Sequence, residues 1–117
     1  MRSAGFIGGG RVARILVSGW KRAGALPARV FAHDPNDGAI DALRAAAPAV
    51  ERASLERAAS ADVVFLALHP PAIAPVLSPL GAALLPGSTV VSLAPKVTLR
   101  VTALDCILNW VVWNAVW

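Results

Sequence analysis

The chain has a single cysteine, Cys106, and charged residues fill only 15% of its 117 positions. A lone thiol can neither close an internal disulfide nor complete a zinc site, so a reducing, cytoplasmic setting is expected. Cys106 lies among apolar neighbours and reads as a packed thiol. No apolar run reaches the length of a membrane span. Gly8 to Arg11 interrupt the apolar residues after Arg2 before a signal-peptide core can form. The arginines are scattered, without a basic run or aromatic interleaving. The net charge of +4 therefore suits a phosphate-bearing ligand better than a nucleic acid. There is no internal repeat and no low-complexity tract. These absences argue against a disulfide scaffold, a metal centre, a membrane protein and a nucleic-acid binder.

What is present is an alternation of apolar strands and amphipathic helices. Hydrophobic residues reach 56%, enough for one domain with a real core. So high a content reflects either alanine enrichment or surface meant for another domain or subunit. The spacing predicts a strand over 3–8 and a helix from Arg11 to Gly24. Val12, Ile15, Leu16, Gly19 and Ala23 would form its inner face, with Trp20 at the border. Gly24 suits a left-handed cap. A second strand, Arg29 to Asp34, ends in the turn cluster Asp34-Pro35-Asn36-Asp37-Gly38. A second helix follows to Ala47, turning Ile40, Leu43 and Ala47 inward. A short strand is expected near Ala49 and Val50, then a brief helix capped by Ser54 and ending at Ala59.

The run from Asp62 to Leu68 reads as a strand buried on both faces of a parallel sheet, and Ser88 to Ala94 as another. Between them a helical pattern reaches Leu85, interrupted by Pro75 and Pro79. Strands alternating with helices give an α/β class: a Rossmann-like, doubly wound parallel sheet in a single three-layer domain. Right-handed crossovers then bring Gly8–Gly10, His33-Asp34, Leu68-His69-Pro70 and Ala94-Pro95-Lys96 to one edge of the sheet.

Gly8, Gly10 and Ala13 occupy the small positions of a G-x-G-x-x-A fingerprint between a strand and a helix. Gly8 permits the turn, Gly10 lets backbone approach a pyrophosphate, and Ala13 packs the helix on the strand. With Gly9, Arg11 and Val12 they form the expected phosphate loop of a nicotinamide dinucleotide site. Arg11 either reaches a phosphate or is solvated. Asp34 stands where an acid accepts bonds from ribose hydroxyls, which tilts the site to NAD; alternatively it only opens the turn. His33 beside it keeps NADP open. His69, Pro70, Leu68 and Ala94 are expected to touch the cofactor from neighbouring strand ends, and Lys96 either approaches the nicotinamide or is solvated. No catalytic residue and no metal ligand stands out.

The segment GFIGGGRVA over 5–13 resembles the GFIGGGNMA opening of pyrroline-5-carboxylate reductases. ADVVFLALHP over 61–70 is similar to that family's ADVVFLAVKP, and VVSLAPKVTL over 90–99 to its VVSxAAGVTL. Related deazaflavin-dependent NADP reductases share this architecture. The resemblance covers about residues 4 to 100 and implies an NAD(P)H-dependent reduction of a cyclic imine to proline. In that family a C-terminal helical domain supplies the dimer contacts and most of the substrate site. His69 stands where the family has Lys, and Pro95-Lys96 where it has Ala-Gly, which leaves the substrate open.

Residues 1–100 are thus expected to form the dinucleotide domain, and 101–117 a divergent tail. In the tail, Trp110 to Trp113 read either as the sheet's last strand or as part of a helix from Thr102. Three of the four tryptophans lie in 110–117. Apolar aromatics so placed suit a second copy or a C-terminal domain, and a truncated or frame-shifted chain is the corresponding expectation. The rival reading is a non-catalytic dinucleotide-binding or assembly module whose tail docks on a partner.

Overall fold

Apolar five-residue runs, each followed by a helix with one apolar stripe, leave few ways to hide both faces of a sheet. The computed structural model describes residues 2–68, 79–80, 82–85, 87–93 and 111–114, the last four as backbone only. Its elements are β1 (Ser3–Ile7), α1 (Arg11–Arg22), β2 (Arg29–His33), α2 (Asp37–Ala46), β3 (Val50–Arg52), α3 (Leu55–Ala59), β4 (Val63–Leu66), β5 (Thr89–Ser92) and β6 (Val111–Asn114). The strands form one sheet in the order β3-β2-β1-β4-β5-β6, with every adjacent pair parallel. This is the doubly wound arrangement expected from the sequence. Strand order reverses between β1 and β4, so a crevice opens beyond the end of β1, where the glycines lie.

Helices cover both faces. On one, Ala13 and Val17 of α1 and Ile40 and Leu43 of α2 pack with Ala4, Phe6, Val30, Ala32 and Val50. Phe6, Trp20 and Phe65 join them, with ring centroids 5.0 to 5.9 Å apart. On the other, Ala58 and Ala59 of α3 pack with Ile7, Phe31, Val64, Leu66, Leu80 and Val90. Each fully buried large side chain contributes roughly 1.5–3 kcal/mol.

The caps agree with the turn chemistry. Asn36 Oδ1 accepts from the Gly38 and Ala39 amides and starts α2. Ser54 Oγ accepts from the Arg57 amide and starts α3. Helix α1 ends in a Schellman motif: the Ala25 amide donates to the Trp20 carbonyl and the Gly24 amide to that of Lys21, with Gly24 at φ +66°. Pro48 follows the C-cap residue of α2, Ala47.

Two details differ from the sequence reading. The inner stripe of α1 is Ala13 and Val17, flanked by Val12, Leu16 and Trp20, while Ile15 is 59% exposed and Ala23 is exposed. The close packing of Ala13 on the sheet sets the helix phase, and periodicity alone placed that stripe too far round. Strand β3 begins at Val50, later than expected. Of the two readings of the tail, a strand holds for Val111–Asn114, which pairs with β5. His69, Pro70, Pro75, Ala94, Pro95, Lys96 and the remaining tail residues lie outside the described residues.

Candidate dinucleotide-binding site

The turn after β1 is held by its own backbone. The Gly8 amide donates to the His33 carbonyl at 2.7 Å, which ties the end of β1 to the end of β2. Gly8 has φ +102°, and a Cβ there would stand 2.5 Å from the Ala67 carbonyl oxygen and 2.9 Å from Leu68 Cδ2. Gly8 is therefore wedged against the end of β4. Gly9 is buried, and a Cβ on it would meet Ile40 Cδ1 at 3.3 Å. Gly10 is the N-cap of α1 and supplies no side-chain cap; a Cβ on it would face open space.

Helix α1 thus begins with amides that no side chain caps, and no acidic residue lies in its first turn. Four such amides and the helix dipole form an anion-binding end. Arg11 is exposed at the first helical position, Val12 is half-buried, and Ala13 is buried against the sheet. The geometry fits a dinucleotide pyrophosphate: open space at Gly10, unspent donors behind it, and no acidic residue in the first turn of α1.

Asp34 locks this turn to the next. Its Oδ2 accepts from the Gly9 amide at 2.9 Å, and its Oδ1 accepts from the Asn36 amide at 2.8 Å. The two readings of Asp34, ribose acceptor and turn former, are compatible, since each carboxylate oxygen keeps acceptor capacity after one such bond. His33 Nδ1 lies 3.2 Å from the Ala53 carbonyl oxygen. With that nitrogen protonated, the ring donates there and ties β2 to the β3–α3 loop.

The fold therefore brings together Gly8, Gly9, Gly10, Arg11, His33, Asp34 and Leu68. His69, Pro70 and Ala94 fall outside the described residues. Sequence reasoning missed the Gly9–Asp34 clasp, an ion pair between Arg52 and Asp37, and the close approach at Gly5. Arg52 had a signal, because it ends a strand at the same sheet edge. Among the described residues no three His, Cys, Asp or Glu side chains group as metal ligands. No helix among them is long and apolar enough to cross a membrane.

Removing the clasp separates its roles. Asp34→Ala deletes two charge-assisted hydrogen bonds and should cost about 1.5–3 kcal/mol of folding stability. It should also weaken the binding of NADH. Thermal unfolding and a dinucleotide titration check both; unchanged stability would show that the Gly9 contact carries no weight.

Over residues 3–96 the chain matches the family model described as NADP oxidoreductase, coenzyme F420-dependent. It is 38% identical over 100 residues to pyrroline-5-carboxylate reductase 2 of Pongo abelii, an alignment covering 83% of this chain and 31% of that protein. A pyrroline-5-carboxylate reductase from Coxiella burnetii matches with a TM-score of 0.76 at 31% identity, over 86% of this chain and 38% of that one. Plasmodium falciparum pyrroline carboxylate reductase with NADP bound shares the fold, with a TM-score of 0.68 at 18% identity, over 92% of this chain and 40% of that one. All three sequence segments begin inside the matched region, which is similar to pyrroline-5-carboxylate reductases. This chain spans 31% of the length of the curated relative from Pongo abelii.

Proposed function

The chain belongs to the family of coenzyme F420-dependent NADP oxidoreductases, and from that premise we propose that it is the NAD(P)H-holding domain of a pyrroline-5-carboxylate-reductase-like enzyme. One observation carries this: the open Gly8–Gly10 turn, clasped to Asp34, stands at the point where the strand order reverses. The amides of Gly10 and the first turn of α1 would hold the pyrophosphate, since those of Gly8 and Gly9 are engaged by His33 and Asp34, and Arg11 would reach a phosphate oxygen. Asp34 accepts from ribose hydroxyls. Val12 and Ala13 keep α1 close to the sheet, so that its amino end meets the ligand. Leu68, just beyond β4, would touch the cofactor, and His69, Pro70 and Ala94 are the further residues assigned to that contact from the sequence.

The dihydronicotinamide supplies a hydride, and the chemistry of that transfer belongs to the cofactor. The domain would orient the dinucleotide, with the apolar Leu68 side chain beside the Gly8 turn. By similarity to the relatives, the acceptor is the C=N bond of a cyclic imine, and reduction gives proline. The dinucleotide domain in this reading comprises residues 1–100 together with β6, which pairs with β5 in the same sheet. The aromatic tail contacts a second copy or a substrate-binding segment of the kind that makes the relatives longer. With one cysteine and no disulfide, the protein suits the cytoplasm.

Titration of the purified chain with NADH and with NADPH, followed by calorimetry, should show saturable binding of at least one. A folded chain that binds neither at millimolar concentration would sink the proposal. The rival reading is a module that binds the dinucleotide without reducing anything. Oxidation of NAD(P)H that depends on added pyrroline-5-carboxylate would overturn that version.

A further inference from the structure

The acid that tilts the site to NAD is not the only charged group at the β2–α2 turn. Arg52 ends β3 and sits in register with Ala32 of β2. The Ala53 amide continues that ladder by donating to the Ala32 carbonyl at 2.9 Å. From there the Arg52 guanidinium pairs with Asp37, the first residue of α2. A continuous set of contacts therefore runs from Gly9 to Asp34, from Asp34 to Asn36, and along the chain to Asp37 and Arg52. Asp34 directs its oxygens at backbone amides of the turn, while Arg52 reaches the same turn from the neighbouring strand.

In a doubly wound sheet the adenosine ribose lies at the end of the second strand. An acid there reads its hydroxyls, and a nearby arginine accommodates a 2′-phosphate. We propose that Arg52 is the specificity-determining residue for NADP-type dinucleotides, held over the β2–α2 turn by Asp37 and released from it to grip the 2′-phosphate. This rests on the dinucleotide reading given above and adds to it the residue that admits the second cofactor.

The balance of interactions favours the exchange. The pair is exposed, with side chains 52% and 71% accessible, and such pairs are weak and screened. A phosphate carries more charge than a carboxylate and can take both arms of the planar fork, whereas Asp37 meets Arg52 through its Oδ1. Asp37 holds the guanidinium near its target in the free protein, yet its own charge opposes the phosphate once bound. The two residues should therefore act in opposite directions on NADPH, and neither should act on NADH. His33, the other candidate for a phosphate contact at this turn, has its Nδ1 directed at the Ala53 carbonyl, which leaves Nε2 for such a contact.

The test measures binding of NADH, NADPH, AMP and adenosine 2′,5′-bisphosphate to the full chain and to two variants. Arg52→Gln should weaken NADPH and the bisphosphate by about tenfold while NADH and AMP stay within about twofold. Asp37→Asn should strengthen NADPH by about threefold, again leaving NADH in place. An Arg52→Gln variant whose NADH/NADPH affinity ratio equals that of the parent chain overturns the assignment, as does weaker NADPH binding in Asp37→Asn. A parent chain that binds neither dinucleotide overturns the cofactor reading itself, a result distinct from an unchanged ratio.

Discussion

Gly5→Ala should cost this domain about 3 kcal/mol or more, a large share of the roughly 5–15 kcal/mol that holds a domain folded. Gly5 lies in β1 and pairs with Phe31 on one side and Val64 on the other. A Cβ built on it would stand 1.9 Å from the Ala58 carbonyl oxygen and 2.8 Å from the Ala58 carbonyl carbon. These are backbone atoms of α3, so no rotamer change can relieve the overlap. Either α3 lifts from the sheet or β1 moves out of register. Lifting α3 exposes Ala58 and Ala59, which are fully buried in the core. Urea denaturation should show a lower midpoint with an unchanged slope. A loss below about 1 kcal/mol would mean that α3 is not seated on β1 as described.

The second large effect is expected at Gly8, where stability and binding should fall together. Alanine at φ +102° is strained, at roughly 1–2 kcal/mol for a left-handed L-residue. Its Cβ would also lie 2.5 Å from the Ala67 carbonyl oxygen. The turn can escape only by swinging away from β4, and that breaks the Gly8–His33 bond and draws Gly9 from Asp34. Gly8→Ala should therefore lose at least about 3 kcal/mol and, where it still folds, bind NAD(P)H far more weakly. Circular dichroism with denaturant, paired with the calorimetric titration, checks the two losses separately. A variant with the stability and dinucleotide affinity of the parent would show that the turn is not wedged between the two strands. Gly5 and Gly8 lie in the same motif yet act differently: Gly5 admits a helix, and Gly8 turns the chain.

How much of this was legible beforehand depends on the range of the interaction responsible. The Ser54 and Asn36 caps join a side chain to amides two or three residues away, and local sequence carries such information in full. Gly24 at the end of α1 is another local case. The clasp between Gly9 and Asp34 spans 25 positions. The residue types and their separation indicated a site, but not that the acid grips the loop. The phase of α1 lay beyond the pattern for a similar reason. Ile15 is as apolar as Val17, and only contact with the sheet decides which of them is buried.

By itself, then, the sequence determined the class of the fold and the place of the cofactor turn. Apolar runs alternating with amphipathic stretches admit a parallel sheet with helices on both faces, and a glycine turn after the first strand falls at its ligand-binding edge. The tertiary structure decided what that turn leans on. It seated Gly8 against Ala67, tied Gly9 to Asp34, packed α3 onto the bare backbone of Gly5, and carried Arg52 to the β2–α2 turn. Each of these contacts joins segments distant in the chain. Their energies come from a close approach of backbone or charge that exists only once the sheet has formed.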